Sequence, residues 1–112
     1  MVRIAFPTAK GGLDDTVYER LGRAPTFTIV DVDSDGSIRS VEVVENPGYV
    51  SGSGAGVKAA QALGDAKVDV YAGPSPGPNA YAALQYLGVK VIPGFIGLRV
   101  RDAVGEVLKQ LS

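Results

Sequence analysis

The 112-residue chain contains no cysteine, no histidine and no tryptophan. Without cysteine there is no disulfide, no thiolate nucleophile and no cysteine-held iron–sulfur cluster. Without histidine, the usual acid/base near neutral pH and the commonest zinc ligand are both missing, and a serine triad is excluded. A metal held by side chains alone would sit on oxygen, which suits magnesium, calcium or manganese. Neither sign of charge is in excess: eleven Lys and Arg stand against twelve Asp and Glu, a net charge of −1. That balance argues against a nucleic-acid binder with a broad basic face and leaves room only for a local patch. Long apolar runs are absent too. The opening Met1–Pro7 stretch is too short for a signal peptide, and nothing approaches membrane-spanning length, so the expectation is a soluble, cytoplasmic protein without membrane or nucleic-acid partners. Few Asn and Gln, with no Cys, also fit a heat-adapted (thermostable) protein.

Glycine is plentiful, and its placement is informative. From Asn46 to Gln61 a glycine- and serine-rich loop passes into a helix at about Ala55. Gly52, Gly54 and Gly56 leave backbone N–H groups uncovered where a helix offers unpaired donors and its positive dipole end, a place suited to a bound anion. A flexible loop with a glycine-rich helix start explains the same letters.

The length predicts one domain over residues 1–112, since domains commonly hold about 100–150 residues. Val2–Phe6 reads as a first strand ended by Pro7. Thr16 to Glu19 has the Thr-x-x-Glu spacing of a capping box and predicts a short helical turn carrying Val17 and Leu21 inward. Thr26–Val32 and Ile38–Val44 are β-branched strands joined by a short hairpin. Beyond them the period changes. Val57, Ala60 and Leu63 share a helix face, Val68–Ala72 is a short buried strand, and Ala80, Ala83, Leu84 and Leu87 mark a second helix opened by Pro76 or Pro78. Val89–Ile92 is a last strand, and Val100 to Leu111 is strongly amphipathic. An α/β protein follows, with later strands parallel through right-handed crossovers. If the second strand is antiparallel to the first, loops 7–15, 22–25, 45–56, 73–79 and 93–99 meet at one rim, where open α/β sheets bind ligands.

Several constellations compete for that rim. Arg20, Arg23 and Arg99, with Lys10, are either solvated surface cations or a clamp for a multi-oxygen anion. Ser51, Ser53 and Asn79 would add neutral donors. Asp14 and Asp15 read either as a carboxylate pair for metal-dependent hydrolysis or as acids favouring a helix start. Asp31, Asp33, Asp35, Gly36 and Glu42 match a calcium-loop pattern, but strands flank them, so a hairpin turn is expected. The glycine loop fits neither a dinucleotide fingerprint nor a Walker motif.

Arg3-Ile4-Ala5-Phe6-Pro7-Thr8, Gly22-Arg23-Ala24-Pro25 with Phe27-x-Ile29-Val30-Asp31-Val32, Glu45-Asn46-Pro47, Gly54-Ala55-Gly56 before Ala59-Ala60, and Gly77-Pro78-Asn79-Ala80 follow one another along nearly the whole chain. In that order and spacing they resemble the dinitrogenase iron–molybdenum cofactor biosynthesis family. The resemblance implies a three-layer α/β/α, ribonuclease H-like motif fold. Its five-stranded mixed sheet would have the order 3-2-1-4-5, with strand 2 antiparallel. It also implies a non-enzymatic carrier of anionic iron–sulfur or iron–molybdenum cofactor-type clusters. Where many members have histidine, Arg20 and Leu21 precede Gly22 here, and Ser51 and Ser53 occupy the glycine loop. The expectation is therefore a cluster or other small anion held without Cys or His by Arg20, Arg23, Ser51, Gly52, Ser53, Gly54, Gly56 and Asn79, with no catalytic and no metal-ligating residue. The alternative is a ligand-free regulatory or interaction module presenting Tyr49 and Val50 on the 46–53 loop to a protein partner.

Overall fold

Strand β1 (Val2–Thr8) lies at the centre of the sheet, because both of its edges are paired in the computed structural model, which describes residues 1–111. On one edge it runs antiparallel to β2 (Thr26–Val32), which in turn pairs antiparallel with β3 (Ile38–Glu45). On the other edge it runs parallel to β4 (Val70–Gly73), and β4 runs parallel to β5 (Lys90–Pro93). The order is β3-β2-β1-β4-β5, as the resemblance implies. Helices α1 (Ala55–Asp65), α2 (Pro78–Tyr86) and α3 (Val100–Leu111) complete the chain. None is long and apolar enough to cross a membrane among the described residues.

The alternation of side chains along the strands divides the interior in two. Ile4, Phe6, Val30, Val32 and Ala72 face α3 through Val100, Ala103, Val104 and Val107. Ala5, Phe27, Ile29 and Tyr71 face the other way, against Ala59, Ala60 and Leu63 of α1 and Ala80 and Leu84 of α2. The sheet is thus the middle of three layers.

Two expectations are corrected. Pro7 does not end β1, which continues to Thr8 with Pro7 opposite Phe27. The pyrrolidine ring faces Gly73 instead, where a Cβ would lie 2.8 Å from Pro7 Cδ. The missing N–H therefore points to the β4 side, where pairing has already stopped at Ala5 and Tyr71. Nor is there a helical turn at Thr16–Glu19. Its amides have other acceptors: Thr16 N–H donates to Asp15 Oδ1, Val17 N–H to Leu98 O and Tyr18 N–H to Pro7 O. The segment is irregular and makes an isolated bridge to Arg99. One helical turn would have set Val17 and Leu21 on a single face; here Val17 joins the α3 core and Leu21 the opposite one.

The hairpin reading of the aspartate-rich loop is correct. Asp31 accepts from Arg3 and Ser40, Asp33 from Arg39, and Asp35 from Ser37, while Gly36 supplies a φ of 88°. Two Ser37 hydrogen bonds, side-chain and backbone, hold the Asp35 carboxyl below its ordinary range. No cluster of acids fit for a metal ion occurs among the described residues.

Candidate functional site

Three chain segments meet at the start of α1 because glycines let their backbones touch. At Gly22 a Cβ would stand 3.1 Å from Gly56 N and 3.1 Å from the Ala55 Cβ, so the 20–23 loop lies directly on the first turn of α1. At Gly56 a Cβ would stand 3.0 Å from the Ala80 Cβ, which brings the first turn of α2 against the same place. At Gly48 a Cβ would fall 2.3 Å from Ala55 O, so the 46–51 loop closes the third side. Asn46 ties these loops together. Its Nδ2 donates to Leu21 O and Ala24 O, each at 2.9 Å, and its Oδ1 accepts from Gly48 N–H at 2.9 Å. Buried and fully used, it is a structural clamp.

Between these segments opens a cleft of about 320 Å³ lined by residues 19–23, Ala55, Gly56, residues 74–77 and Ala80. Neither α1 nor α2 has a side-chain N-cap: Gly54 (φ 67°) and Gly77 occupy those positions. The first-turn amides of both helices therefore lack an internal acceptor, and both dipoles present their positive ends. The charged residues of the lining are two cations, Arg20 and Arg23, and one acid, Glu19. Arg23 is oriented by donating from Nη1 to Ser51 O at 3.0 Å. The Pro74 wall is pinned from below: the Tyr71 hydroxyl donates to Pro74 O at 2.7 Å, and burial raises the Tyr71 phenol far above its ordinary pKa, keeping it a neutral donor.

Of the residues singled out in the sequence, Arg20, Arg23 and Gly56 line this cleft. Ser51 is buried beside it, with its hydroxyl donating to Pro47 O and its carbonyl taken by Arg23. Gly52, Ser53 and Gly54 are exposed and do not line it, and neither does Asn79, exposed on the first turn of α2. Lys10 and Arg99 belong to another assembly, in which loops 9–19 and 95–101 join through Val17–Leu98, Val100–Asp15 and Arg101–Leu13 backbone bonds. There Asp14 pairs with Arg101, and Asp15 Oδ2 accepts from the amides of Ala9, Lys10 and Gly11. Partial burial raises the Asp15 pKa, but its backbone hydrogen bonds outweigh that and hold the carboxyl below its ordinary range. These two aspartates have structural partners and form no carboxylate pair. The 74–77 wall belongs to the 73–79 loop expected at the rim, although no ligand-binding role was expected of residues 74–77; their signal was the Pro74-Ser75-Pro76-Gly77-Pro78 run after a four-residue strand.

A family model described as dinitrogenase iron-molybdenum cofactor matches residues 1–110. The chain belongs to that family. Among solved structures, the apo form of the orange protein from Desulfovibrio gigas is 38% identical, with a TM-score of 0.86, covering 98% of this chain and 89% of that one. A NifB-like protein of the DUF35 family from Thermotoga, TM1290, is 34% identical with a TM-score of 0.76, covering 97% of this chain and 89% of that one. PH0822, at 24% identity and a TM-score of 0.81 over 97% of this chain and 92% of its own, shares the fold. No curated protein matches.

Family membership raises the question of a metallocluster, and the donor set answers it in part. With no Cys or His in the chain, the cleft offers no soft ligand for iron or molybdenum. Its guanidinium and amide donors suit the outer oxygens or sulfides of an anion.

Proposed function

We propose that this protein is a non-enzymatic carrier that holds a small anionic cargo, of the metallocluster or oxyanion class, in the cleft between Arg20, Arg23 and the starts of α1 and α2. One observation carries the reading: two uncapped helix N-termini open onto the cleft that also holds two arginines. Hydrogen bonds and charge would hold the cargo, and no protein atom would ligate its metal. Such capture is reversible, which suits a carrier. Membership of the family supports the cargo class, and the protein belongs on this view among those that pass clusters on.

Calorimetric titration with molybdate, and anoxic reconstitution with iron and sulfide, test the proposal. Binding with one site per chain is expected, and the Arg20→Ala, Arg23→Ala double variant should bind at least about tenfold more weakly. A folded wild-type chain that binds neither would overturn it.

A second reading rests on the half-exposed Tyr49 and the 85% exposed Val50, which flank an apolar groove with Pro25 and Pro47. On this reading the 46–53 loop is a partner surface. Tyr49→Ser would then abolish capture of a partner while leaving anion binding intact.

A further inference from the structure

The outer strand β3 carries eight residues with no proline and no covering helix, and only Val44 is drawn inward. Long uncovered edges of this kind are templates for strand pairing. Asn46 N–H donates to Pro25 O, which fixes the phase of the β2–β3 ladder. From Ser40 to Val44 the even-numbered residues turn their N–H and C=O toward β2, and Val41, Val43 and Glu45 turn theirs to the free edge. Val41 and Val43 are 39% and 45% exposed.

We propose that β3 is the interface of a symmetric homodimer, pairing antiparallel with its own copy about a two-fold axis at Glu42. The sequence of the edge selects both partner and register. With the axis at Glu42, Val41 lies opposite Val43 of the second copy, and Arg39 lies opposite its Glu45. Each pair occurs twice. Val41 and Val43 then meet with their free backbone groups facing one another, so those groups exchange hydrogen bonds. Moving the axis to Val41 sets Arg39 opposite Val43, and moving it to Val43 sets Glu45 opposite Val41; both lose the complementary charges. The one like-charged pair, Glu42 with Glu42, is bracketed by two cations, because Arg3 Nη2 already donates to Glu42 Oε1 at 3.1 Å in each copy. The β2–β3 register shifts between Asp31 and Val32, so Arg39 is the unpaired extra residue of a bulge in β3, just beyond the regular ladder, with its exposed guanidinium beside Asp33. The dimer would join two five-stranded sheets into one of ten strands.

Sedimentation velocity on the full chain from about 10 µM to about 1 mM tests this, a range suited to a weak association. The wild type should show a monomer–dimer equilibrium. Val43→Lys should be monomeric throughout. Glu45→Arg and Arg39→Glu should each weaken association about tenfold, and the combined R39E/E45R chain should regain it to within about threefold. Far-UV circular dichroism identifies any variant that fails to fold, and the charge reversals decide the matter if Val43→Lys does. A wild type that stays monomeric at the top of the range leaves the edge to another protein's strand and overturns the proposal. A dimer indifferent to these changes, or one that the double reversal does not restore, overturns it equally.

Discussion

Asp15 shows how one carboxylate can hold a loop. It gathers three successive amides, those of Ala9, Lys10 and Gly11, onto Oδ2 and takes the Thr16 amide on Oδ1. Its folded-state pKa lies below the ordinary value of 3.8, so the stability it contributes is complete above that value and lost as pH falls through the lower folded-state value. Thermal melts between pH 3 and 7 should therefore show an acid loss of stability that Asp15→Asn flattens, at a cost near neutrality of about 1–3 kcal/mol. Asn46 makes the complementary case. Asn46→Ala leaves Leu21 O and Ala24 O without their shared donor in a buried place. Urea unfolding should report a loss of about 2–4 kcal/mol, and Asn46→Asp should be no better, since a carboxylate has nothing to donate to two carbonyls. A measured loss under about 0.5 kcal/mol would refute the clamp.

At the scale of elements, the sheet was legible because its signals are local. Alternating β-branched residues mark β2 and β3, and the stripe from Val100 to Leu111 marks α3 with the bounds observed. What misled was local chemistry overruled by distant backbone. Thr16 and Glu19 have capping-box spacing, yet the Val17 and Tyr18 amides bind Leu98 O and Pro7 O, which ties the segment to distant backbone in an irregular path. Pro7 reads as a strand end, yet on the side where its N–H is missing the pairing with β4 has already stopped. The site was legible in part for the same reason. Arg20, Arg23 and Gly56 reach the cleft, whereas the placement of Gly52, Ser53 and Asn79 depended on a loop path that no periodicity describes. Glycine contacts that set this path make a firm expectation. Gly48→Ala would drive a Cβ to 2.3 Å from Ala55 O, a backbone atom that cannot step aside. The substitution should cost about 2–4 kcal/mol by chemical unfolding, more than Gly52→Ala, whose Cβ would meet open space.

Over the whole molecule, the rim foreseen as one meeting place is divided between the two faces of the sheet. On the α3 side, loops 9–19 and 95–101 join by backbone bonds and ion pairs, and the Asp15 carboxylate already occupies the amides there. On the α1/α2 side, glycine-enabled contact of three segments leaves a cleft lined by the starts of both helices and by two arginines. Cations outnumber acids in that lining although the chain as a whole is slightly acidic. An anion should therefore bind to one part of the surface and do so more weakly as salt rises. Crystals grown with molybdate and measured at the molybdenum absorption edge test this most directly. The account predicts one anomalous peak per chain, between the Arg20 and Arg23 guanidinium groups and the amides of Gly56 and Ala80. A peak at Lys10 or Arg99 with none in the cleft would contradict it.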